Sequence, residues 1–153
     1  MHFLEHKIPP PVVGLAIAAG MWAVAGLPPF LRFSDPVRYS LIAALAAIGV
    51  AIALGGVLAF RRARTTVNPL KPETSAALVS SGVYSFTRNP MYLGMVMVLI
   101  AWAVYLSSVW CLAGPLAFAW FITRFQIIPE ERVLEKLFGA DFSTYRKRVR
   151  RWL

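Results

Sequence analysis

Charged side chains are scarce in this sequence: they make up 15% of its 153 residues, and only seven are Asp or Glu. A soluble domain usually carries roughly 25% charged residues. With 58% hydrophobic residues, a chain this short has too little interior to hide its apolar side chains from water. Cysteine occurs once, as Cys111 inside an apolar run, which excludes an intrachain disulfide and a thiolate metal cluster. Histidine occurs only as His2 and His6, and this does not restore a metal site. There is no G-x-G-x-x-G after a strand, no Walker sequence, no H-E-x-x-H and no Ser–His–Asp set, so kinase and hydrolase readings drop out. Internal repeats and low-complexity tracts are also missing. The apolar runs hold almost no polar residues that could line a pore, which argues against a channel.

What is present in abundance is hydrophobicity, with a mean hydropathy of +0.62. Four runs read as membrane spans, over 12–30, 37–60, 91–106 and 109–128. A bilayer core of about 30 Å asks for about 20 apolar residues per helix. The second and fourth runs meet this; the first and third are short and need help from their flanks. The third and fourth are parted only by Ser107-Ser108 and together are too long for one span, so a tight helical hairpin is expected. The first run also imitates a signal peptide, with Lys7 before it and Ala23-Val24-Ala25 ahead of Gly26. Pro9-Pro10-Pro11 and the weak positive start favour a retained helix. The expected fold is an all-α integral membrane protein: one membrane domain over 1–153, about four transmembrane helices, a loop over 61–90 and a C-terminal helical segment over 129–153.

Sixteen Lys and Arg outweigh the acids and give a formal charge of +9. The basic residues cluster at the edges of apolar runs, where anionic headgroups explain them more simply than nucleic acid does. The 61–90 loop holds Arg61, Arg62, Arg64, Lys71 and Arg88, and the tail holds Arg132, Lys136 and the run from Arg146 to Arg151. The first connection has Arg32 and Arg38, and the hairpin tip has no charge. The positive-inside rule then places loop, tail and both termini in the cytoplasm, in what is expected to be a bacterial inner membrane.

Two polar segments are richer than connectors need to be. The first runs from Leu78 to Gly94. Gly82 permits a sharp turn or the close approach of a ligand. Pro90 suits the first turn of the third span, with Asn89 as its cap. Arg88, Asn89 and unpaired backbone N–H groups then gather at a helix N-terminus, a place that binds anions, including carboxylates. Tyr92 adds a hydroxyl one turn on. Capping plus headgroup anchoring is the plainer reading of the same residues. The second segment is Glu130-Glu131 with the basic tail. Pro129 and these acids suit a helix start; functionally, one acid could hold an amine or ribose hydroxyls. Val133, Leu134, Leu137 and Phe138 continue as an apolar stripe, Gly139 marks a stop, and Phe142 and Tyr145 extend the apolar side. Arg124, near the end of the fourth span, must snorkel, pair with an acid or line a polar cavity.

Gly82-Val83-Tyr84, Arg88-Asn89-Pro90-Met91-Tyr92-Leu93-Gly94, the hydrophobic hairpin, Glu130-Glu131, Phe138-Gly139-Ala140-Asp141-Phe142 and Tyr145-Arg146-Lys147-Arg148-Val149 follow in one order. This series resembles the isoprenylcysteine carboxyl methyltransferases, and the related phospholipid methyltransferases share its outline. The resemblance covers Leu78 to Trp152. It implies a small membrane methyltransferase that uses S-adenosyl-L-methionine, releases S-adenosyl-L-homocysteine, and takes a lipidic or amphiphilic acceptor from the bilayer. By motif, Gly82, Tyr84, Arg88, Asn89, Pro90, Tyr92 and Gly94 would shape the cofactor pocket. Glu130 and Glu131 would lie near the cofactor, Glu131 as a catalytic residue. Arg148 would orient the acceptor. Asn89 stands where the carboxyl methyltransferases usually have His, and Arg150 where they commonly have Pro; both departures bear on the acceptor more than on the cofactor. A non-catalytic accessory module that grips anionic lipid through its basic tail is the alternative.

Overall fold

A computed structural model describes residues 5, 7–63 and 77–153. Arg64 and Lys71 of the loop, and His2 and His6, lie outside the described residues. Helix α1 runs Pro10–Val24 and α2 Asp35–Arg62. A short 3-10 turn, Gly82–Ser85, precedes α3, Pro90–Leu106. A second 3-10 turn, Val109–Leu112, leads into α4, Ala113–Ile122, and a π turn, Thr123–Ile127, joins α4 to α5, Ile128–Arg148. The described residues thus form an all-helical protein.

Proline sets the starts. Pro10, Pro36 and Pro90 occupy first-turn positions, where a missing N–H costs nothing. Asp35 at the start of α2 and Arg61 and Arg62 in its last turn complement the helix dipole. The expected hairpin is present: Ser107 turns left-handed (φ 56°) and reverses the chain between α3 and α4. The first apolar run is helical only to Val24. Gly26, Pro28 and Pro29 cannot sustain a helix, so residues beyond it leave the bundle and dock on the hairpin. Leu31 N–H donates to Ser107 O (2.8 Å), and Val109 N–H to Pro29 O (3.1 Å). Trp110 Nε1 donates to Pro28 O (2.8 Å). The fourth run is not one regular helix either. Pro129 has no N–H to return to the preceding turn, and the widened π turn before it keeps the path continuous from α4 into α5. Gly139, at φ 47°, breaks α5 where a stop was expected.

Helices α2 and α3 touch backbone to backbone. A Cβ on Gly49 would lie 2.9 Å from Met97 Cβ, and one on Gly94 would lie 2.8 Å from Ala53 Cβ. Behind α3, the side chains of Met21, Leu99, Ala103, Cys111, Phe118 and Ile122 form the main core. By length and composition, two helical runs are suited to crossing a bilayer, Asp35–Arg62 and Val109–Arg148; Pro10–Val24 and Pro90–Leu106 are shorter apolar helices. Only 11% of the apolar window of α2 is buried, so protein alone does not shelter it. Leu15, Trp22, Leu116 and Trp120 are similarly exposed on α1 and α4. An outward apolar surface of this kind is suited to contact with lipid.

Candidate active site

At the end of the bundle opposite the hairpin tip, the two polar segments fold against each other. Arg88 Nη2 lies 2.9 Å from Glu131 Oε1, with the Arg88 side chain 9% and the Glu131 side chain 13% exposed. Arg151, from the tail, binds the same carboxylate twice: Nη2 to Oε2 at 2.7 Å and Nε to Oε1 at 3.1 Å. One carboxylate therefore serves two guanidinium groups. The tail backbone seals the contact. Arg88 N–H donates to Arg150 O (3.0 Å), while Asn89 Nδ2 (2.9 Å) and Thr87 Oγ1 (3.3 Å) donate to Arg151 O. Trp152 Nε1 donates to Thr123 Oγ1 (3.1 Å), tying the tail to the π turn.

Beside this triad, Tyr92 donates its hydroxyl to Glu130 Oε2 at 3.3 Å. Gln126, 2% exposed in the π turn, reaches the same hydroxyl. Glu130 stands beyond the apolar stretch 109–128. Burial pushes its carboxyl up to about 7; the Tyr92 bond opposes this and the charge of Glu131 adds to it. The two adjacent acids thus differ in kind: Glu131 is spoken for by two arginines, while Glu130 stands poised near neutrality. Desolvation also lowers the pKa of Arg88, against the pull of Glu131. Two of its donors, Nε and Nη1, are buried with no hydrogen-bond partner among the described residues.

A second layer supports the turn. Tyr145 donates to Tyr84 O at 2.7 Å, and Phe60 packs against the Tyr84 ring. Burial chiefly raises both phenols, Tyr145 to about 12, with Arg88 and Arg148 holding it down, so both remain donors at neutral pH. Val79, Tyr84, Phe142, Tyr145 and Val149 close around them as a separate apolar cluster.

The phospholipid methyltransferase family model matches residues 37–141. The chain belongs to that family. It is 40% identical over 63 residues to an uncharacterized protein of Haemophilus influenzae, a match spanning 41% of this chain and 100% of that protein. It is 37% identical over 75 residues to the protein-S-isoprenylcysteine O-methyltransferase of Xenopus laevis, spanning 49% of this chain but 26% of the frog protein. The family match begins inside α2 and stops at Asp141; the tail that completes the triad lies beyond it.

Of the residues singled out from the sequence, Arg88, Asn89, Tyr92, Glu130 and Glu131 meet in this one cluster of contacts. Pro90 is buried at the head of α3. Tyr84 joins through Tyr145, and Gly82, at φ 62°, opens the 3-10 turn on the other side of that partition. Gly94 is spent on the α2–α3 crossing. Arg148 is exposed on the last turn of α5, outside the triad. Arg124 pairs with an acid, but with Glu5 (3.7 Å), which also meets Arg132 (3.5 Å). The residue missed from the sequence is Arg151. Its place in a run of basic residues gives it the look of another headgroup contact, and only the return of the tail across α3 singles it out.

Proposed function

We propose that the protein is an S-adenosyl-L-methionine-dependent methyltransferase of the membrane, acting on an amphiphilic or lipidic acceptor. In this reading the chain is a single domain of four spans, α1 to α4, in a bacterial inner membrane, with the Arg88–Glu131–Arg151 end facing the cytoplasm. Arg88, Arg132 and Arg151 lie at that end, and their positive charge supports this orientation. The observation that carries the reading is the union of the Thr87–Tyr92 turn with Glu130-Glu131 in one polar cluster of contacts.

The residues present suit the cofactor. Arg88 has buried donors that lack an acceptor, and the cofactor carries a carboxylate. Glu130 keeps a carboxylate oxygen free of any arginine, and the cofactor carries an ammonium group and ribose hydroxyls. When bound, S-adenosyl-L-methionine would supply an electrophilic methyl group to the acceptor and depart as S-adenosyl-L-homocysteine. The protein's own part is then alignment, which can contribute several kcal/mol, up to ~7–11 in favourable cases. Glu131 holds Arg88 and Arg151 in place with both of its carboxylate oxygens. Glu130 is the acid that can accept one, as an amine acceptor would need; a carboxylate acceptor needs none. Arg148, exposed near Tyr145, is the residue to which this reading gives the acceptor headgroup.

Calorimetry of S-adenosylhomocysteine on folded, detergent-solubilised protein tests the reading. Saturable binding that is weakened by Glu130→Gln is expected. Absence of binding at millimolar ligand would overturn it.

A further inference from the structure

On the far side of the Tyr84–Tyr145 partition lies a groove of about 550 Å³. Its walls are the last turns of α2 and the Leu78–Val83 strip that leads into the 3-10 turn. The volume falls within the ~300–1,000 Å³ usual for small-molecule sites. Its lining divides in two. Leu58, Ala59, Leu78, Val79 and Val83 are apolar, and Val79 and Val83 continue directly into the cluster around Tyr84 and Phe142. At the other edge are Ser80, Ser81 and Arg62, which is the one charged residue among the described residues of the lining. The apolar edge opens toward lipid, because Leu54 and Leu58 on the same helix are about half exposed.

We propose that this groove binds a single-chain amphiphile with an anionic head, the chain entering from the bilayer along α2 and the head resting at Arg62. Three features select that ligand. The apolar wall continues the lipid-facing surface of α2, so a chain can slide in without crossing water. Among the described lining residues the sole charge is positive, which disfavours a cationic head and draws an anionic one to the interface. Gly82 leaves the polar edge open: a Cβ there would meet nothing within 4 Å. A carboxylate and a phosphate share the required head chemistry. The site makes no use of Arg88, Glu130 or Glu131; Gly82 at its polar edge is the residue it shares with those the family resemblance assigns to the cofactor.

The test is photocrosslinking in phosphatidylcholine liposomes with three probes bearing a diazirine on the chain: hexadecanoic acid, a lysophosphatidic acid and hexadecanol. Label from at least one anionic probe is expected to concentrate on residues 54–63 and 78–83. Whichever of the two labels more strongly identifies the head as carboxylate or phosphate. Hexadecanol should label these residues less. Arg62→Gln should cut anionic labelling by up to about fivefold, the scale of an exposed ion pair, and leave hexadecanol unchanged. Leu58→Trp, which fills the apolar edge, should reduce groove labelling about tenfold; Leu116→Trp, on an exposed apolar face of α4, should not. S-adenosylhomocysteine affinity, measured in parallel, should be the same in all variants, so failure of the cofactor reading shows separately as no binding in the unaltered protein. Label spread evenly over the exposed faces of α2 and α4, equal labelling by acid and alcohol, or groove labelling untouched by Leu58→Trp would overturn the proposal.

Discussion

Replacing Glu131 with Gln keeps the shape of the side chain and removes the one negative charge that two guanidinium groups share. Arg88 then loses its 2.9 Å partner while 91% covered, and two of its other donors are already without one. Stripping one member from a buried ion pair costs about 3–5 kcal/mol, because the surviving charge stays desolvated. Arg151 contributes little to that figure. Its side chain is 35% exposed and can turn to water, so its share is the ~0–1 kcal/mol of a surface pair. At about 2–4 °C per kcal/mol for a chain of this length, the melting temperature should fall by roughly 6–20 °C. Thermal unfolding in one fixed detergent measures it. Because the cost is that of an orphaned cation, Arg88→Gln combined with Glu131→Gln should be less damaging than the sum of the single changes by at least ~0.5 kcal/mol. A Glu131→Gln protein melting within about 2 °C of the parent, as a change at an ordinary surface position would, refutes the reasoning.

The raised carboxyl of Glu130 has a definite sign. Between about 4.5, its ordinary value, and about 7, the folded protein holds a proton that the unfolded chain has released, so this residue makes stability fall as pH rises through that window. Unfolding measured from pH 4.5 to 8 should show the fall in the parent and a shallower one in Glu130→Gln; identical slopes would show that Glu130 titrates normally. Tyr92→Phe removes the bond that opposes this shift, so the midpoint of the Glu130 titration, followed by carboxyl infrared or NMR, should move upward. Gly94→Ala would push a methyl group into Gly49 and Ala53, on a backbone that cannot yield, and should destabilise the protein by about 3 kcal/mol in chemical unfolding. Gly82→Ala meets open space and bears only left-handed backbone strain, about 1–2 kcal/mol; the reverse order would disprove the packing account.

Much of this molecule could be read from local chemistry. The helix starts at Pro10, Pro36 and Pro90, the reversal at Ser107-Ser108 and the break at Gly139 follow from residues whose backbone preferences act over a few positions. The apolar runs point to a membrane protein because no small interior can bury them. The ordered motifs from Gly82 to Val149 pointed to the family before any contact was known. Less legible were the boundaries at Pro28-Pro29 and Pro129, where the same residue type ends one helix and is absorbed by a π turn in another. Which outcome occurs depends on whether neighbouring elements can take up the displaced backbone.

The site itself divides along the same line. Sequence alone nominated Arg88, Asn89, Tyr92, Glu130 and Glu131, since charge and hydrogen-bonding groups beside a membrane are conspicuous against an apolar background. It could not say that Glu131 would be bound by two arginines while Glu130 met the Tyr92 hydroxyl instead, that Gly94 would serve helix packing, or that Arg151 of the basic tail would turn inward. Those outcomes rest on distances between residues far apart in the chain. Burial and pairing are set by what packs against a side chain, and its neighbours in sequence supply little of that.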